Sequence, residues 1–190
     1  MNWHNLQEKV FQKLSWVFDF SRVVIILVIL ILITHFFIAT IFVVSGESME
    51  MDFHNGEYLL INRLDKNSLK RGDVIGFNYP GMSGEKYIKR VIGLPGEKVK
   101  IADNKITIYN NEHPQGFVLS DGAYLSSDVI TEGNKIWLVG QNEYFVLGDN
   151  RENSSDSRLW GTLPEKYIVG RAILVLWPLK NINAINRVDY

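Results

Sequence analysis

The sequence predicts a mainly β domain, antiparallel and barrel-like or sandwich-like, behind a single N-terminal transmembrane helix. Three observations carry this: a long uncharged apolar run near the N-terminus, a succession of short β-branched and aromatic runs after it, and turn residues between those runs.

The apolar run is VVIILVILILITHFFIATIFVV, 22 residues over 23–44, interrupted only by Thr34, His35 and Thr40. It is long enough to cross the hydrocarbon core as a helix. It also exceeds the roughly 7–15 apolar residues of a removable signal peptide, so a retained anchor is expected. Lys9, Lys13 and Arg22 precede it, whereas Glu47, Glu50, Asp52 and Glu57 follow with no Lys or Arg before Arg63. The positive-inside rule then puts the N-terminus in the cytoplasm and the rest outside. His35, a single histidine within the span, faces another protein surface or stays neutral. Ahead of the span, Trp3, Leu6, Val10, Leu14, Val17 and Phe18 recur at helical spacing, as in a helix on the inner leaflet or an extension of the span. The expected organisation is a cytoplasmic amphipathic tail over 1–22, an anchor over 23–44 and one extracytoplasmic domain over 45–190.

In that domain the strand-like runs are YLLIN (58–62), DVIGF (73–77), YIKRVIG (87–93), KVKI (98–101), KITIY (105–109), YFVLG (144–148) and IVGRAILVLW (168–177). Asp103 and Asn104 between two of them predict a hairpin. The stretch from Gly116 to Asn134 has weak periodicity and reads as a long loop or irregular hairpin, and few or no helices are expected.

The 190 residues carry 20 basic and 21 acidic side chains, scattered without the basic stripe that phosphate binding needs. Nucleic acid is therefore not an expected partner. Cysteine is absent, which removes disulfides, thiolate nucleophiles and Cys-based zinc sites. Nucleophilic chemistry must then use an oxygen or a lysine.

One strand raises a question of charge. In YIKRVIGL (87–94), Lys89 and Arg90 are adjacent, so they point to opposite faces and burying either face buries a cation. An unpaired buried ammonium costs several kcal/mol, which is tolerable where the group is used as a neutral base. A neutral lysine needs a nucleophile, and SGESM at 45–49 offers Ser48 among small residues, with Gly46 able to aim backbone N–H groups at an oxyanion. From the residues alone, Ser48 as an ordinary loop serine and Lys89 snorkelling to water remain open. A triad through His54 or His113 is weaker, since neither lies in a segment that would hold it.

Four blocks in order, SGESM (45–49), RGDVIGF (71–77), YIKRVIGLPGE (87–97) and YFVLGDNRENSSDSRLWG (144–161), closely resemble the type I signal peptidases, with an anchor in the family's position. The resemblance implies a serine endopeptidase that removes signal peptides from exported preproteins after an Ala-x-Ala type site, with Ser48 as nucleophile and Lys89 as general base. It implies that Asp149, Ser154, Asp156 and Arg158 support the site, the serine orienting the lysine. The Ser48 N–H would serve the oxyanion. Some relatives carry a serine hydroxyl two residues before the nucleophile, where Gly46 stands here, so a backbone N–H or water would replace it. Val44, Met49, Phe53, Tyr87 and Ile88 match or flank positions lining pockets for small side chains, while Tyr87 and Met49 read equally as core. The substrate would add a strand beside the Lys89 strand, and Arg90 would be exposed or paired with an acid. The implied partners are signal peptides, membrane lipid and the secretion translocon, at a bacterial cell membrane, with no metal or cofactor.

One departure stands out. After Ser-Met the family usually continues x-P-T-L, but Glu50 is followed here by Met51, Asp52 and Phe53. The fixed φ of proline is lost, and Asp52, if it approached Lys89, would favour the ammonium and oppose general-base action. An alternative is therefore a catalytically impaired, membrane-anchored β-domain that binds preproteins or secretion machinery. A repressor-type Ser-Lys autoprotease is disfavoured by the apolar span and the lack of a basic recognition helix.

Overall fold

The computed structural model describes residues 3–33, 37–82, 84–120, 122, 124–125, 129–188 and 190. The chain divides into two compact units, Met1–Ala39 and Thr40–Tyr190.

The first unit is dominated by helix α1, Trp3–Ile33. It runs unbroken from the amphipathic stretch into the apolar run, so both belong to one helix. Its segment Trp16–Ile33 is long and apolar enough to cross a membrane, and its large apolar side chains from Val23 to Ile33 are exposed. That face suits lipid rather than water.

The expected helical anchor over 23–44 ends earlier than the apolar run does. Ala39–Val43 forms strand β1, with Thr40 and Phe42 buried and Ile41 and Val43 exposed. Val44 is buried beyond it. The physical reason is composition: Thr40, Ile41, Phe42, Val43 and Val44 are β-branched or aromatic and suit a pleated surface. In an unbroken apolar run their alternation is hidden, because periodicity cannot separate a buried strand from a helix. His35 lies outside the described residues.

The second unit is antiparallel β throughout its described strands. Its further strands are β2 (Tyr58–Asn62), β3 (Val74–Asn78), β4 (Lys86–Gly93), β5 (Lys98–Ala102), β6 (Lys105–Tyr109), β7 (Phe117–Val118), β8 (Lys135–Leu138), β9 (Glu143–Leu147), β10 (Leu163–Pro164), β11 (Ile168–Trp177) and β12 (Asn183–Ala184). A short helix, α2 (Ser157–Trp160), precedes β10. The larger sheet has the order β1-β2-β11-β3-β4-β9-β10, with β12 on β11, and the smaller runs β7-β6-β5-β8. Asp103 and Asn104 turn β5 into β6 with φ of 51° and 58°, the left-handed pair that a two-residue hairpin demands. After β7 no strand follows among the described residues until Lys135, in keeping with the weak periodicity over 116–134.

The middle of the larger sheet is covered on both faces. Phe42, Val44, Met49, Phe53, Leu59, Ile61, Val74 and Ile88 form one core, and Ile75, Phe77, Val91, Tyr144 and Val146 belong to another. The inner face of the smaller sheet, with Val99, Ile101, Ile106 and Ile108, packs on Ile92, Phe145 and Leu147. Strand β4 runs through the middle of this arrangement, so neither of its faces is open to water along its second half.

Candidate active site

Both cations of β4 are buried, Lys89 at 3% exposure and Arg90 at 1%. Strand alternation sends them to opposite faces, and the chain treats them differently. Arg90 is fully compensated. Its Nε and Nη2 donate to Asp149 Oδ1 and Oδ2 at 2.9 and 2.6 Å, Nη2 also donates to Asp52 Oδ2 at 2.6 Å, and Nη1 to the Gly72 carbonyl at 3.0 Å. Its guanidinium lies over the Tyr124 ring. Burial opposes its charge, yet Asp149 and Asp52 together hold its pKa above the ordinary arginine value.

Lys89 has no such carboxylate among the described residues. Its Nζ donates to the Ile88 carbonyl at 3.0 Å and lies 2.6 Å from Ser48 Oγ. Burial lowers its pKa from 10.5 to about 8, against a smaller upward pull from Asp156 and Asp149. An amine with that pKa is partly neutral near physiological pH, and a neutral amine can accept the hydroxyl proton beside it.

Ser48 sits in a tight turn. Glu50 N–H donates to the Glu47 carbonyl at 3.0 Å and Phe53 N–H to the Met49 carbonyl at 2.9 Å. The Ser48 carbonyl accepts from Asn150 N–H at 3.1 Å, which ties the turn to the segment after β9. Gly46 takes φ of 87°, a conformation that suits glycine, and its N–H donates to Asn55 Oδ1 at 3.1 Å. Its own N–H is therefore engaged, and the left-handed conformation of Gly46 shapes the turn that carries the Ser48 N–H.

The segment after β9 is held by its own charges. Asp156 Oδ2 accepts from Gly148 N–H at 3.1 Å, while Oδ1 caps α2 through Arg158 N–H at 3.2 Å. Arg158 Nε and Nη2 reach the same carboxylate at 2.8 and 2.9 Å, and Nη2 also donates to the Arg151 carbonyl. Arg151, buried and not singled out in the sequence, donates from Nε to the Gly148 carbonyl at 3.0 Å. Ser154 departs from expectation. Its buried Oγ has no hydrogen-bond partner among the described residues and makes no bond to Lys89; it packs against Gly148. A Cβ at Gly148 would run into Ser154 Oγ and the Ser48 carbonyl oxygen, so only glycine lets this segment approach the serine so closely.

The profile of the family described as signal peptidase, peptidase S26, matches residues 17–177. The chain belongs to that family. A signal peptidase IB of Staphylococcus aureus is 31% identical over 180 residues, 88% of this chain and 91% of its own length. A signal peptidase I of Bacillus amyloliquefaciens is 33% identical over 181 residues, 93% of this chain and 96% of its own. The crystal structure of a signal peptidase I from Enterococcus faecalis shares 30% identity, with a TM-score of 0.44, over 54% of this chain and 95% of that one. Membership of the signal peptidases makes the chain a hydrolase, a serine protease of signal peptides, and the apolar α1 is consistent with membrane anchoring.

A cavity of about 230 Å³ opens beside the signal peptidase's Ser48 and Lys89. Of the five residues expected along it, Tyr87 and Ile88 line it, whereas Val44, Met49 and Phe53 are buried in the core and do not. The cause is the alternation of β1: Val43 and Ser45 face the cavity, and Val44 between them points inward. Met49 and Phe53 are the apolar side of the turn that carries Ser48 and anchor it from beneath. Strand β3 pairs with β4 along Lys86–Arg90, but β9 joins β4 only from Arg90 onward. Along Lys86–Lys89 the second edge of β4 therefore carries no strand among the described residues. Asp52 does not approach Lys89 as a charge partner; it pairs with Arg90.

Proposed function

We propose that Ser48 and Lys89 form a Ser-Lys dyad that cleaves exported preproteins after an Ala-x-Ala type site. The observation that carries this is a buried lysine with no carboxylate partner among the described residues, 2.6 Å from a serine hydroxyl. Neutral Lys89 takes the Ser48 proton as Oγ bonds to the scissile carbonyl carbon, and the Ser48 N–H donates to the oxyanion. The Lys89 ammonium then gives that proton to the leaving amine as the C–N bond breaks, leaving an ester on Ser48. A water, deprotonated by Lys89, adds to the ester carbonyl, and Ser48 regains the proton as it leaves. Asp149, Asp156 and Arg158 keep the segment behind the dyad in place.

The unpaired edge at Lys86–Lys89 accommodates a substrate as an added strand, and the small cavity suits small side chains at alternate positions. Favouring catalysis over binding alone is the place of Asp52, whose carboxylate is spent on Arg90 rather than on the base. We assign residues 16–33 to the membrane span, the N-terminus to the cytoplasm by the positive-inside rule, and the β domain to the outer side of a bacterial cell membrane. Exposed Tyr58 and Trp177, cross-strand partners, together with Leu179 form an apolar patch suited to lipid. Preproteins delivered by the translocon are the substrates.

The test is cleavage of an Ala-x-Ala preprotein by the full chain in lipid and detergent, with mass spectrometry of the products. Cutting after the second Ala by the wild type, and none by Ser48→Ala or Lys89→Ala, is expected. Binding without cleavage by the wild type rejects the dyad.

A further inference from the structure

Asp52 lies four residues after Ser48, and its side chain is still 37% exposed although Oδ2 meets Arg90 Nη2 at 2.6 Å. The same Nη2 holds Asp149, and Arg90 is fixed at its other end by the Gly72 carbonyl. Arg90 adjoins Lys89 along β4, while Asp149 adjoins Asn150, whose N–H holds the Ser48 carbonyl. The turn bearing Ser48 is thus tied twice to one frame, once through its own carbonyl and once through Asp52.

The backbone gives a reason for the second tie. Met51 has φ of 102°, a region that residues with side chains disfavour and that proline cannot enter. A turn strained at this point relaxes unless contacts on both sides hold it. Met49 and Phe53 hold it from the core; Asp52 holds it from the charged side.

We propose that Asp52 is a positioning residue for the Ser48–Lys89 pair: its carboxylate, held by Arg90, fixes the nucleophile's turn against the strand that carries the base. It does so where a proline at position 51 would otherwise restrict the turn. This rests on the Ser-Lys reading of the site, and Asp52 acts through Arg90 without touching substrate.

The test uses the lack of cysteine in the chain, which makes Ser48→Cys a unique thiol. Its alkylation by iodoacetamide across pH, in the full-length protein in detergent, reports how close the Lys89 ammonium lies without any need for proteolysis. In the parent Ser48→Cys the thiol titrates below the ordinary value of about 8.5; adding Asp52→Ala returns it toward that value, as adding Lys89→Ala does. In the otherwise native chain, Asp52→Ala lowers kcat about ten- to a hundredfold with KM unchanged, the scale of a small misplacement of reacting groups. The pH at which activity rises stays where it is, because Asp52 faces Arg90 and not Lys89. Asp52→Asn, still able to accept from Arg90, recovers part of the loss. An unaltered thiol titration together with an unaltered kcat overturns the proposal. If Asp52→Ala fails to fold, Asp52→Ser, too short to reach Arg90, is judged by the same two readouts. Should the wild type never cleave while the thiol responds to Asp52→Ala, the peptidase reading falls and the positioning role stands; cleavage by a wild type indifferent to Asp52 gives the reverse.

Discussion

Replacing Lys89 by methionine should abolish cleavage and yet stabilise the fold. Burial takes the Lys89 pKa from 10.5 to about 8. At pH 7 about one molecule in ten then holds a neutral amine, against about one in three thousand for a free lysine, a gain of about 300-fold in competent base. That gain has a thermodynamic counterpart of about 3 kcal/mol, since each pKa unit is worth about 1.36 kcal/mol. The folded-state pKa is lowered, so between about 8 and 10.5 the unfolded chain binds more protons than the folded one, and stability rises with pH across that window. Below pH 8 both states are protonated and the folded state bears the whole cost. Lys89→Met removes the charge while keeping the apolar stem. It should be more stable than the wild type at pH 7 by up to about 3 kcal/mol, an advantage that fades as pH approaches 10.5. Urea unfolding of the full chain in detergent at several pH values measures this directly. The partner measurement is kcat/KM against pH, expected to rise with unit slope and level off near pH 8. A Lys89→Met protein no more stable than the wild type at pH 7, or an activity still climbing at pH 10, would refute the reasoning.

Arg90→Ala should lose about 3–5 kcal/mol in the same unfolding assay, because Asp149 is left buried without its counter-charge. It is the opposite sign from the effect at Lys89, one residue away. Gly148→Ala should lower kcat about a hundredfold, since the new Cβ displaces the Ser48 carbonyl; steady-state kinetics on an Ala-x-Ala peptide will read it. A domain begun at Ser45 should be much less stable than one begun at Phe37, because it lacks buried Phe42 and Val44, each worth about 1.5–3 kcal/mol; thermal unfolding of the two fragments compares them.

What the sequence disclosed follows from where its signals are local. Strands such as β2, β6 and β11 alternate or carry β-branched runs between clear turns, and they lie where those runs predict. Strand β1 is invisible because it continues an apolar run without a break, and only the fold distinguishes Phe42 in a core from Ile33 in a helix. The run at Lys135–Leu138 is bounded by Asn134 and Gly140 and rich in apolar residues, so its signal for β8 was present though it was not read as a strand. The contact between Ser48 and Lys89 was foreshadowed by the four family-like blocks, whereas the residues alone left it open, with only the oddly placed cation marked by its neighbours. The contact between Asp52 and Arg90 spans 38 positions, and nothing near either residue announces the other. Of the expected pocket residues, Val44 misses the cavity for a simpler reason: a one-residue step beyond β1 exchanges outside for inside, so Val43 faces the cavity and Val44 the core.

The adjacency of Lys89 and Arg90 then has a physical rationale. A strand covered on both faces buries both cations, and each must be paired or made neutral. Arg90 cannot give up its proton, so it gathers Asp149 and Asp52 and becomes a fixed point of the frame. Those carboxylates lie on the face away from Lys89, where they spend most of their field on the guanidinium. Were Arg90 absent, Asp149 would exert an uncompensated upward pull on the lysine, as it already does weakly. In the proposed dyad, Arg90 thus both ties the turn of Ser48 to the strand of Lys89 and shields Lys89 from the acids that make the tie. The double replacement Arg90→Met with Asp149→Leu separates these tasks: it leaves no fully buried charge unpaired, Asp52 being partly exposed, so stability recovers relative to Arg90→Ala, while Asp52 loses its anchor and cleavage stays impaired. Full recovery of cleavage in that double variant would show that charge balance alone, and not the tie, is what Arg90 contributes.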